Sequence, residues 1–580
     1  MKKRILFIFI LLPFIILLSS CFAIEFVERT SFNYLASEYF YLHLLDPMNV
    51  NFTLKDPQGF GIEELTVVPY SFSEEEYQQL NEYLLGYKER LDNIKYKSLT
   101  KAQQITYDII YADLEHMIVL SEYPYHFSRL GVYFGYQTQL PIILSEYHFY
   151  TEEDIEYYFQ YLTTTQATFE GLISFEEIRI EKGFGFPTKM YQQMAEQCEK
   201  LLNNDEFFLL PIFDDKVANC SFLSENQIAN YILQHQGYIE EFLTAYEYLK
   251  DELYSFEVTN AFEGGLSGYP DGDYIYESII KNVTGSNQNI DDIYDYLSAK
   301  NQREMNTLRS YILSNPNKID DILSPNVVQL TNEREIYDLI RNKAAADFPF
   351  VGKDYNVRFE YIHPSLQEHV APAFYFLSPI DATVEEVIYI SNALFEDPTD
   401  AYFTIGHEGI PGHMLQHNIL KASNFPEVRM VLSEIGYAEG WAVYVESYIA
   451  SYLDADKALI DAHFANKRIN YINMCLADIE INYYDMTFDD FYNWLSDLYD
   501  ITADEGLEMF YQIKEKPGYY LQYYLSYYLV LDLKASFKEK VSNLNLENID
   551  LEFHKFYLTF GPAPFYIMED WLDDYINNTY

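Results

Sequence analysis

Basic residues are scarce in this chain. Its 580 residues include 38 Lys and Arg against 90 Asp and Glu, which gives a formal net charge of −52. A field of this sign repels phosphate groups, so the composition argues against nucleic acid as a partner and against binding to anionic lipid surfaces. Two interpretations of the charge remain: a solvated acidic surface, which is the simpler one, or a field that favours cationic or neutral ligands.

Cysteine is also scarce, with four residues in the whole chain. Apart from Cys21 there are Cys198, Cys220 and Cys475, an odd number without the close spacing of a metal site. Cys198 and Cys220 could form a disulfide. However, a chain of this size does not need a disulfide framework, so buried free thiols are the preferred interpretation.

Only one long apolar run occurs, at the N-terminus. Basic residues at 2–4 precede the run 5–18, which is too short for a membrane span and is typical of an export signal. The run ends in Leu-Ser-Ser-Cys21, which resembles a bacterial lipoprotein signal over 1–21, with cleavage before Cys21 and lipid attached to its thiol. We therefore predict an exported lipoprotein of the cell membrane that faces the extracellular side, with a secreted protein as the alternative.

The mature chain also lacks low-complexity linkers, Pro-rich hinges and repeats, so a single domain over 22–580 is predicted, with two lobes around a cleft. Prolines and glycines predict loops at 140–144 and 181–187. Apolar residues at intervals of three and four predict helices over much of the N-terminal half, at 80–91, 105–120, 155–172 and 228–249.

Three of the twelve histidines lie within eleven residues, His407, His413 and His417, and Glu408 follows the first of them. Neutral imidazoles are ligands of catalytic zinc, and a nearby carboxylate can accept a proton from a water molecule bound to the metal. The stretch therefore predicts a metal-hydrolase site.

The spacing departs from the pattern H-E-x-x-H, in which two histidines four residues apart share one helical face. His407 and His413 are six residues apart, which on a straight helix separates them by about 120°. Pro411 and Gly412 lie between them, and both residue types allow the turn to deform and bring His413 back towards His407. The alternative pair is His413 with His417, which have helical spacing but no glutamate beside the first.

The pattern His407-Glu-x-x-Pro-Gly-His413, followed about one helix later by Glu439-Gly-Trp-Ala, resembles the bacterial family known as domain of unknown function 885, which is grouped with the gluzincin metallopeptidases. Its distant relatives include thimet oligopeptidase-like and Taq carboxypeptidase-like enzymes. The resemblance implies a mainly α, large helical metallopeptidase-like fold with a deep cleft, and one Zn²⁺ per chain. It also implies that His407, His413 and Glu439 are the ligands and that Glu408 is the general base.

A separate argument for Glu439 comes from its own segment. Residues 434–446 are typical of an amphipathic helix, and Glu439 and Glu446, which are seven residues apart, share one face of it. One of them could bind the metal while the other holds a ligand imidazole in its tautomer. The alternative is a pair of solvated glutamates on an acidic protein.

A small β-sheet is predicted just before the motif. The runs 357–363, 373–377 and 387–391 are rich in β-branched and aromatic residues and are separated by prolines. By analogy with zinc peptidases, an edge of this sheet could bind an extended peptide as an added strand. A purely structural sheet is the alternative.

Two C-terminal features also resemble the family. Pro517-Gly518 followed by Tyr523 matches a Pro-Gly-x-x-x-x-Tyr signature. In related peptidases a tyrosine from this side donates a hydrogen bond to the oxyanion, so Tyr523 is a candidate catalytic residue, with simple packing as the alternative. His554 fits the C-terminal pattern of the family and could approach the cleft. His417 is a further candidate for a contact with substrate or with a metal ligand. A lone histidine is, however, more often structural.

Together these residues predict a zinc-dependent hydrolase, favoured as a peptidase that acts on extracellular peptides through metal-activated water. The ligand types suit zinc best but would also accept manganese or cobalt. The alternatives are a metal-binding or peptide-binding lipoprotein without catalysis, and a hydrolase of non-peptide amides or esters. Asn482 supports the first alternative, because the family commonly has a histidine there, before a Gly-Trp-Thr triplet. Membrane contact is expected only through lipid at Cys21, and nothing in the sequence predicts an oligomeric state.

Overall fold

A computed structural model describes most of the chain. The described residues are 25–63, 65–203, 207–259, 261, 264–349, 355–362, 371–382, 385–432 and 434–580. The predicted signal over 1–21 lies outside them. Within the described ranges, each helix is either too short or too polar to cross a bilayer.

The prediction of a mainly α fold is confirmed. Several long helices begin with a capping box, in which a hydroxyl and the side chain three residues later bond to each other's backbone N–H; the capping residues are Thr100, Thr151, Ser224 and Thr502. The helices are α1 (described over 25–42), α2 (Pro47–Thr53), α3 (Glu74–Asp92), α4 (Lys101–Glu122), α5 (Tyr136–Glu146), α6 (Glu152–Glu181), α7 (Thr188–Leu202), α8 (Leu209–Ala218), α9 (Glu225–Ser255), α10 (Gly272–Thr284), α11 (Ile290–Ser314), α12 (Asp320–Leu323), α13 (Glu333–Ala344), α14 (Pro398–Glu408), α15 (His413–Ala422), α16 (Val428–Val431), α17 (Ile435–Ile449), α18 (Lys457–Asn482), α19 (Phe488–Leu498), α20 (Ala503–Glu515), α21 (Leu521–Lys540), α22 (Ile549–Phe560), α23 (Phe565–Asp570) and α24 (Leu572–Thr579).

The four periodic stretches lie inside α3, α4, α6 and α9, so those helix predictions are confirmed. The loop predicted at 140–144 is wrong, because these residues belong to α5. Pro141 cannot donate to the carbonyl of Gln137, as a helix would require. The Tyr246 hydroxyl donates to that carbonyl instead, at 2.7 Å, so the helix continues through the proline. The second predicted loop is present and joins α6 to α7.

The predicted sheet is confirmed and has three strands, β1 (Val357–Tyr361), β2 (Ala373–Phe376) and β3 (Glu386–Ile390). Their order is β1-β3-β2, with β1 parallel and β2 antiparallel to β3. Strand β2 is therefore an edge strand. Its outer edge faces the end of α14, which carries the histidine motif.

Buried aromatic contacts fix the motif turn against α17. Trp441 is fully buried, and its Nε1 donates to the carbonyl of Pro411 at 2.9 Å. Its ring stacks on that of Tyr557, with the centroids 4.9 Å apart. One residue of the Glu-Gly-Trp-Ala segment thus holds the turn between the two motif histidines.

Gly440 allows the backbones of α17 and α21 to pack in direct contact. A Cβ atom on Gly440 would lie 2.7 Å from the carbonyl carbon of Ser526 on α21, which is closer than a side chain can be accommodated. The close crossing brings the start of α21, with Tyr523, alongside Glu439 of α17.

The remaining cysteines also agree with the sequence. Cys198, Cys220 and Cys475 are free and buried, so the preferred interpretation is confirmed.

Candidate metal centre

The motif is a broken helix. Helix α14 ends at Glu408 and α15 begins at His413, so the four residues between them leave the helical path, as the Pro-Gly pair predicts. The N–H of Gly412 turns back to the carbonyl of Gly406 at 3.1 Å. A Cβ atom on Gly412 would lie 1.7 Å from the carbonyl oxygen of His407, so only glycine fits this return. As a result the rings of His407 and His413 lie with their centroids 4.8 Å apart.

Glu439 meets both histidines. Its Oε2 lies 3.5 Å from Nε2 of His407 and 3.5 Å from Nε2 of His413. These separations are close to the edge of a zinc tetrahedron, about 3.4 Å for bonds of about 2.1 Å. Among the described residues, the same Oε2 is buried and has no hydrogen-bond donor. A buried carboxylate oxygen without a donor, facing two imidazole nitrogens, fits a divalent cation.

The electrostatics of the cluster support the same interpretation. Burial lowers the pKa of His407, but Glu439, Glu446 and Glu408 outweigh it and raise that pKa well above its ordinary value. Burial acts to raise the pKa of Glu439, but the neighbouring histidines lower it overall. Negative charge is thus concentrated in a buried space, where a bound cation would neutralise it.

Both histidines are oriented through Nδ1, which leaves Nε2 facing Glu439. Nδ1 of His407 lies 2.8 Å from Oε1 of Glu446, whose other oxygen accepts from Nζ of Lys467 at 2.7 Å. Nδ1 of His413 lies 3.3 Å from Oε1 of Gln416. Such partners fix the tautomer of a ligand imidazole. Glu446 is therefore buried beside His407, a candidate ligand, and is not a solvated glutamate.

Lys467 and Gln416 were not predicted from the sequence. Gln416 carries a local signal, because it lies three residues after His413 on the same helix. Lys467 carries no comparable signal, because its helix, α18, is brought to the site only by the tertiary fold.

Glu446→Gln should weaken zinc affinity about 10- to 100-fold, because the amide no longer holds His407 with a charged acceptor. Competition titration with a chelator measures the change. Glu427→Gln, at an exposed glutamate of the same charge, serves as the matched control and should keep the wild-type affinity. Equal affinities for the two variants would show that Glu446 does not support the centre.

Glu408 lies beside the candidate ligands and is held in place by the sheet. Its Oε2 accepts from the backbone N–H of Tyr375, on the outer edge of β2, at 2.8 Å. Its Oε1 lies 3.8 Å from Nε2 of His407. One carboxylate oxygen is thus fixed while the other faces the centre, as a general base requires.

His417 and His554 lie away from this cluster. Nε2 of His417 is 2.7 Å from the carbonyl of Ser378, which links α15 to the segment after β2. His554 is fully buried, with Nε2 at 2.6 Å from the Tyr444 hydroxyl and Nδ1 at 2.7 Å from the carbonyl of Asp347. Both rings therefore make structural contacts, and burial lowers the pKa of each, to about 4 and about 3 respectively.

Tyr519, just before α21, and Tyr523, in its first turn, lie close enough to Glu439 for its charge to act on their hydroxyls. The rings of Tyr519 and Tyr523 lie 5.6 Å apart, and both are half-buried. Burial raises the pKa of each hydroxyl, and the charge of Glu439 raises it further. Tyr523 is therefore protonated and able to donate a hydrogen bond near the candidate ligands.

A buried carboxylate fixes the Pro-Gly turn that precedes these tyrosines. Asp478 accepts from the N–H of Gly518 and from the Tyr276 hydroxyl, each at 2.8 Å. Asn482 donates to the same carboxylate at 3.2 Å and accepts from the N–H of Leu266 at 3.3 Å. Burial raises the pKa of Asp478 to about 7. Asn482 thus lies in the network that supports the turn.

Comparisons with known proteins agree with this architecture. A structure of a candidate lipoprotein from Colwellia psychrerythraea superimposes with a TM-score of 0.80 at 15% identity, and covers 95% of this chain and 100% of that one. A candidate lipoprotein of unknown function from Shewanella oneidensis gives a TM-score of 0.65 at 13% identity, with coverage of 93% and 98%. At these identities the likeness shows the fold alone. No curated protein is significantly similar in sequence.

The model of one family matches nearly all of the helical body. It covers residues 61–572, which include the broken helix, the Glu-Gly-Trp-Ala segment and the Pro-Gly turn. The chain therefore belongs to the family described as bacterial protein of unknown function (DUF885).

Proposed function

We propose that the protein is a zinc-dependent hydrolase that acts on peptides. One observation carries the proposal. The unpaired Oε2 of Glu439 lies 3.5 Å from Nε2 of both His407 and His413, with Glu408 alongside. Two imidazoles, one carboxylate and a second carboxylate at their side form the donor set of a hydrolytic zinc site.

In this proposal the roles divide among a few side chains. A zinc ion held by His407, His413 and Glu439 would supply Lewis acidity, lowering the pKa of a water molecule and polarising the scissile carbonyl. Glu408, held by the N–H of Tyr375, would accept a proton from the attacking water and pass it to the leaving amine. Tyr523 would donate a hydrogen bond to the carbonyl oxygen as its negative charge develops.

The edge strand favours peptides over other amides and esters. Among the described residues, β2 pairs only with β3, and its outer edge contacts Glu408 through Tyr375. An extended peptide added along that edge would pass the general base with its backbone aligned. Small amides and esters would gain nothing from such a strand.

Digestion of a mixed peptide library by the zinc-loaded mature chain tests the proposal. New products identified by mass spectrometry should disappear after chelation and return when zinc is restored. Peptides that are retained by the protein but never cleaved would instead favour a binding protein without catalysis.

We further propose that the mature protein is an exported lipoprotein anchored through Cys21. The export signal and its Leu-Ser-Ser-Cys end support this, and the two structures compared above are described as candidate lipoproteins. Cys21→Ser should move the protein from the membrane fraction to the soluble fraction. A variant that remains fully in the membrane fraction would contradict lipid anchoring at this residue.

A further inference from the structure

Lys516 lies in the turn between α20 and α21, directly before Pro517 and Gly518. The residue is solvent-exposed, but its Nζ is flanked by two aromatic rings. The ammonium lies 4.6 Å from the ring centroid of Phe134 and 5.2 Å from that of Tyr519. Tyr519 in turn contacts Tyr523, so the lysine belongs to the same wall of the site.

Within the described part of the chain, the ammonium of Lys516 forms no ion pair. Across the ranges that the structure describes, no carboxylate lies within the 4.0 Å of an ion pair with its Nζ. The neighbouring groups partly desolvate the ammonium and so lower its pKa, although the side chain as a whole is exposed, while the charges of Glu439 and Glu515 oppose that effect. Glu439 is one of the three candidate zinc ligands, so the charge of Lys516 interacts with the candidate metal centre.

The neighbouring carboxylate of Glu515 is fully engaged elsewhere. It accepts from the backbone N–H of Val132 at 2.8 Å and of Tyr133 at 3.0 Å, and also from that of Phe134. A Cβ atom on Gly131 would lie 2.1 Å from its Oε1, so the loop wraps directly around this carboxylate. Glu515 therefore holds Phe134 beside Lys516, and within the described residues it makes no ion pair with that lysine.

The turn that follows Lys516 is also held in place by a hydrogen bond. The N–H of Gly518, two residues later, is bound by the buried Asp478. The ammonium therefore lies between a loop and a turn that are both held by hydrogen bonds, and it is flanked by the rings of Phe134 and Tyr519. It keeps its capacity for a charge-assisted hydrogen bond. In a chain with a net charge of −52 such a cation would also offset the general repulsion of an anionic substrate.

We propose that Lys516 binds a carboxylate of the peptide substrate beside the scissile bond and thereby selects anionic peptides. This inference rests on the proposed peptidase function. The carboxylate could be the C-terminal one, which would give removal of C-terminal residues, or that of an acidic side chain near the cleavage site. The chemistry recognised is the same in both cases.

The test compares three peptides of the same core sequence: one with a free C-terminal carboxylate, its C-terminal amide, and an amide with a glutamate next to the cleavage site. Wild-type protein should show a kcat/KM about 10- to 100-fold higher for the free acid or for the glutamate peptide than for the plain amide, the usual effect of one charged hydrogen bond. Whichever anionic peptide is preferred identifies the source of the carboxylate.

Lys516→Met should bring this ratio close to one, because methionine keeps much of the apolar stem and loses the charge. Lys516→Arg should keep part of the preference. The matched control is Lys189→Met, at an exposed lysine of α7 that pairs with Asp504 of α20, and it should keep the wild-type ratio. A wild-type ratio near one, or a preference that survives Lys516→Met, would overturn the inference.

Failure of the peptidase proposal can be distinguished from failure of the carboxylate site at Lys516. If wild-type protein cleaves neither the mixed peptide library nor any of the three peptides, the peptidase proposal is overturned, and the same three peptides are compared by calorimetric binding. Tighter binding of an anionic peptide that Lys516→Met abolishes would still support the carboxylate site. Equal binding of all three peptides would overturn it.

Discussion

Glu408→Gln is expected to lower peptide hydrolysis about 10²- to 10⁴-fold, the usual contribution of a general base. Glutamine has nearly the same shape, and its amide oxygen can still accept from the N–H of Tyr375. It cannot take a proton from water at neutral pH. The variant should therefore fold and bind zinc as the wild type does, with the loss confined to turnover.

Steady-state kinetics and zinc analysis of the same preparations check this expectation. Glu427→Gln makes the same chemical change at an exposed position and should retain wild-type turnover. Activity of Glu408→Gln at the wild-type rate would contradict the assignment of Glu408. Loss of zinc along with activity would mean that Glu408 acts as a ligand and not as the base.

His413→Ala is expected to abolish both zinc binding and hydrolysis. The change removes one of three candidate ligands, and the two that remain, His407 and Glu439, leave an incomplete site. Zinc content should fall from about one ion per chain to near zero, because a structural or catalytic zinc normally keeps at least three protein ligands.

Thermal unfolding gives a readout that does not depend on turnover. Zinc that binds the folded chain raises the unfolding temperature of the wild type by mass action, and His413→Ala should lose this response. His417→Gln lies one helical turn further along α15 and keeps a donor for the carbonyl of Ser378, so it should respond as the wild type does. A zinc response in His413→Ala equal to that of the wild type would exclude His413 as a ligand.

Local signals in the sequence were enough to predict the fold class, four of the long helices and the three strands. Periodic apolar residues located α3, α4, α6 and α9, and the β-prone runs located all three strands. The failure at α5 has a long-range cause, because the hydroxyl that compensates for Pro141 belongs to Tyr246, more than one hundred residues later. A hydrogen-bond donor so far along the chain cannot be predicted from the sequence around Pro141.

In the candidate site, too, local motifs were predictable and tertiary contacts were not. The motif and the Glu-Gly-Trp-Ala segment identified His407, His413 and Glu439, and the Pro-Gly pair explained how a spacing of six residues could close. The sequence did not reveal why the turn needs Gly412, since that depends on the carbonyl of His407 lying where a Cβ atom would be.

Supporting residues were the least predictable. Lys467 and Glu515 act through contacts between distant segments, the first with Glu446 and the second with the loop that carries Phe134. Conversely, His554 drew attention as a histidine in a family-like segment, but it is buried against the Tyr444 hydroxyl and a backbone carbonyl. Residue type alone could not separate these cases, because an ionisable side chain near a motif has the same appearance in either role.

Anomalous diffraction at the zinc absorption edge, from crystals of the zinc-loaded mature chain, would locate the metal itself. We expect one strong peak within about 2.0–2.2 Å of Nε2 of His407, Nε2 of His413 and a carboxylate oxygen of Glu439. Absence of a peak there with zinc supplied, or a peak bound by other residues, would contradict the assignment of this cluster as a metal centre.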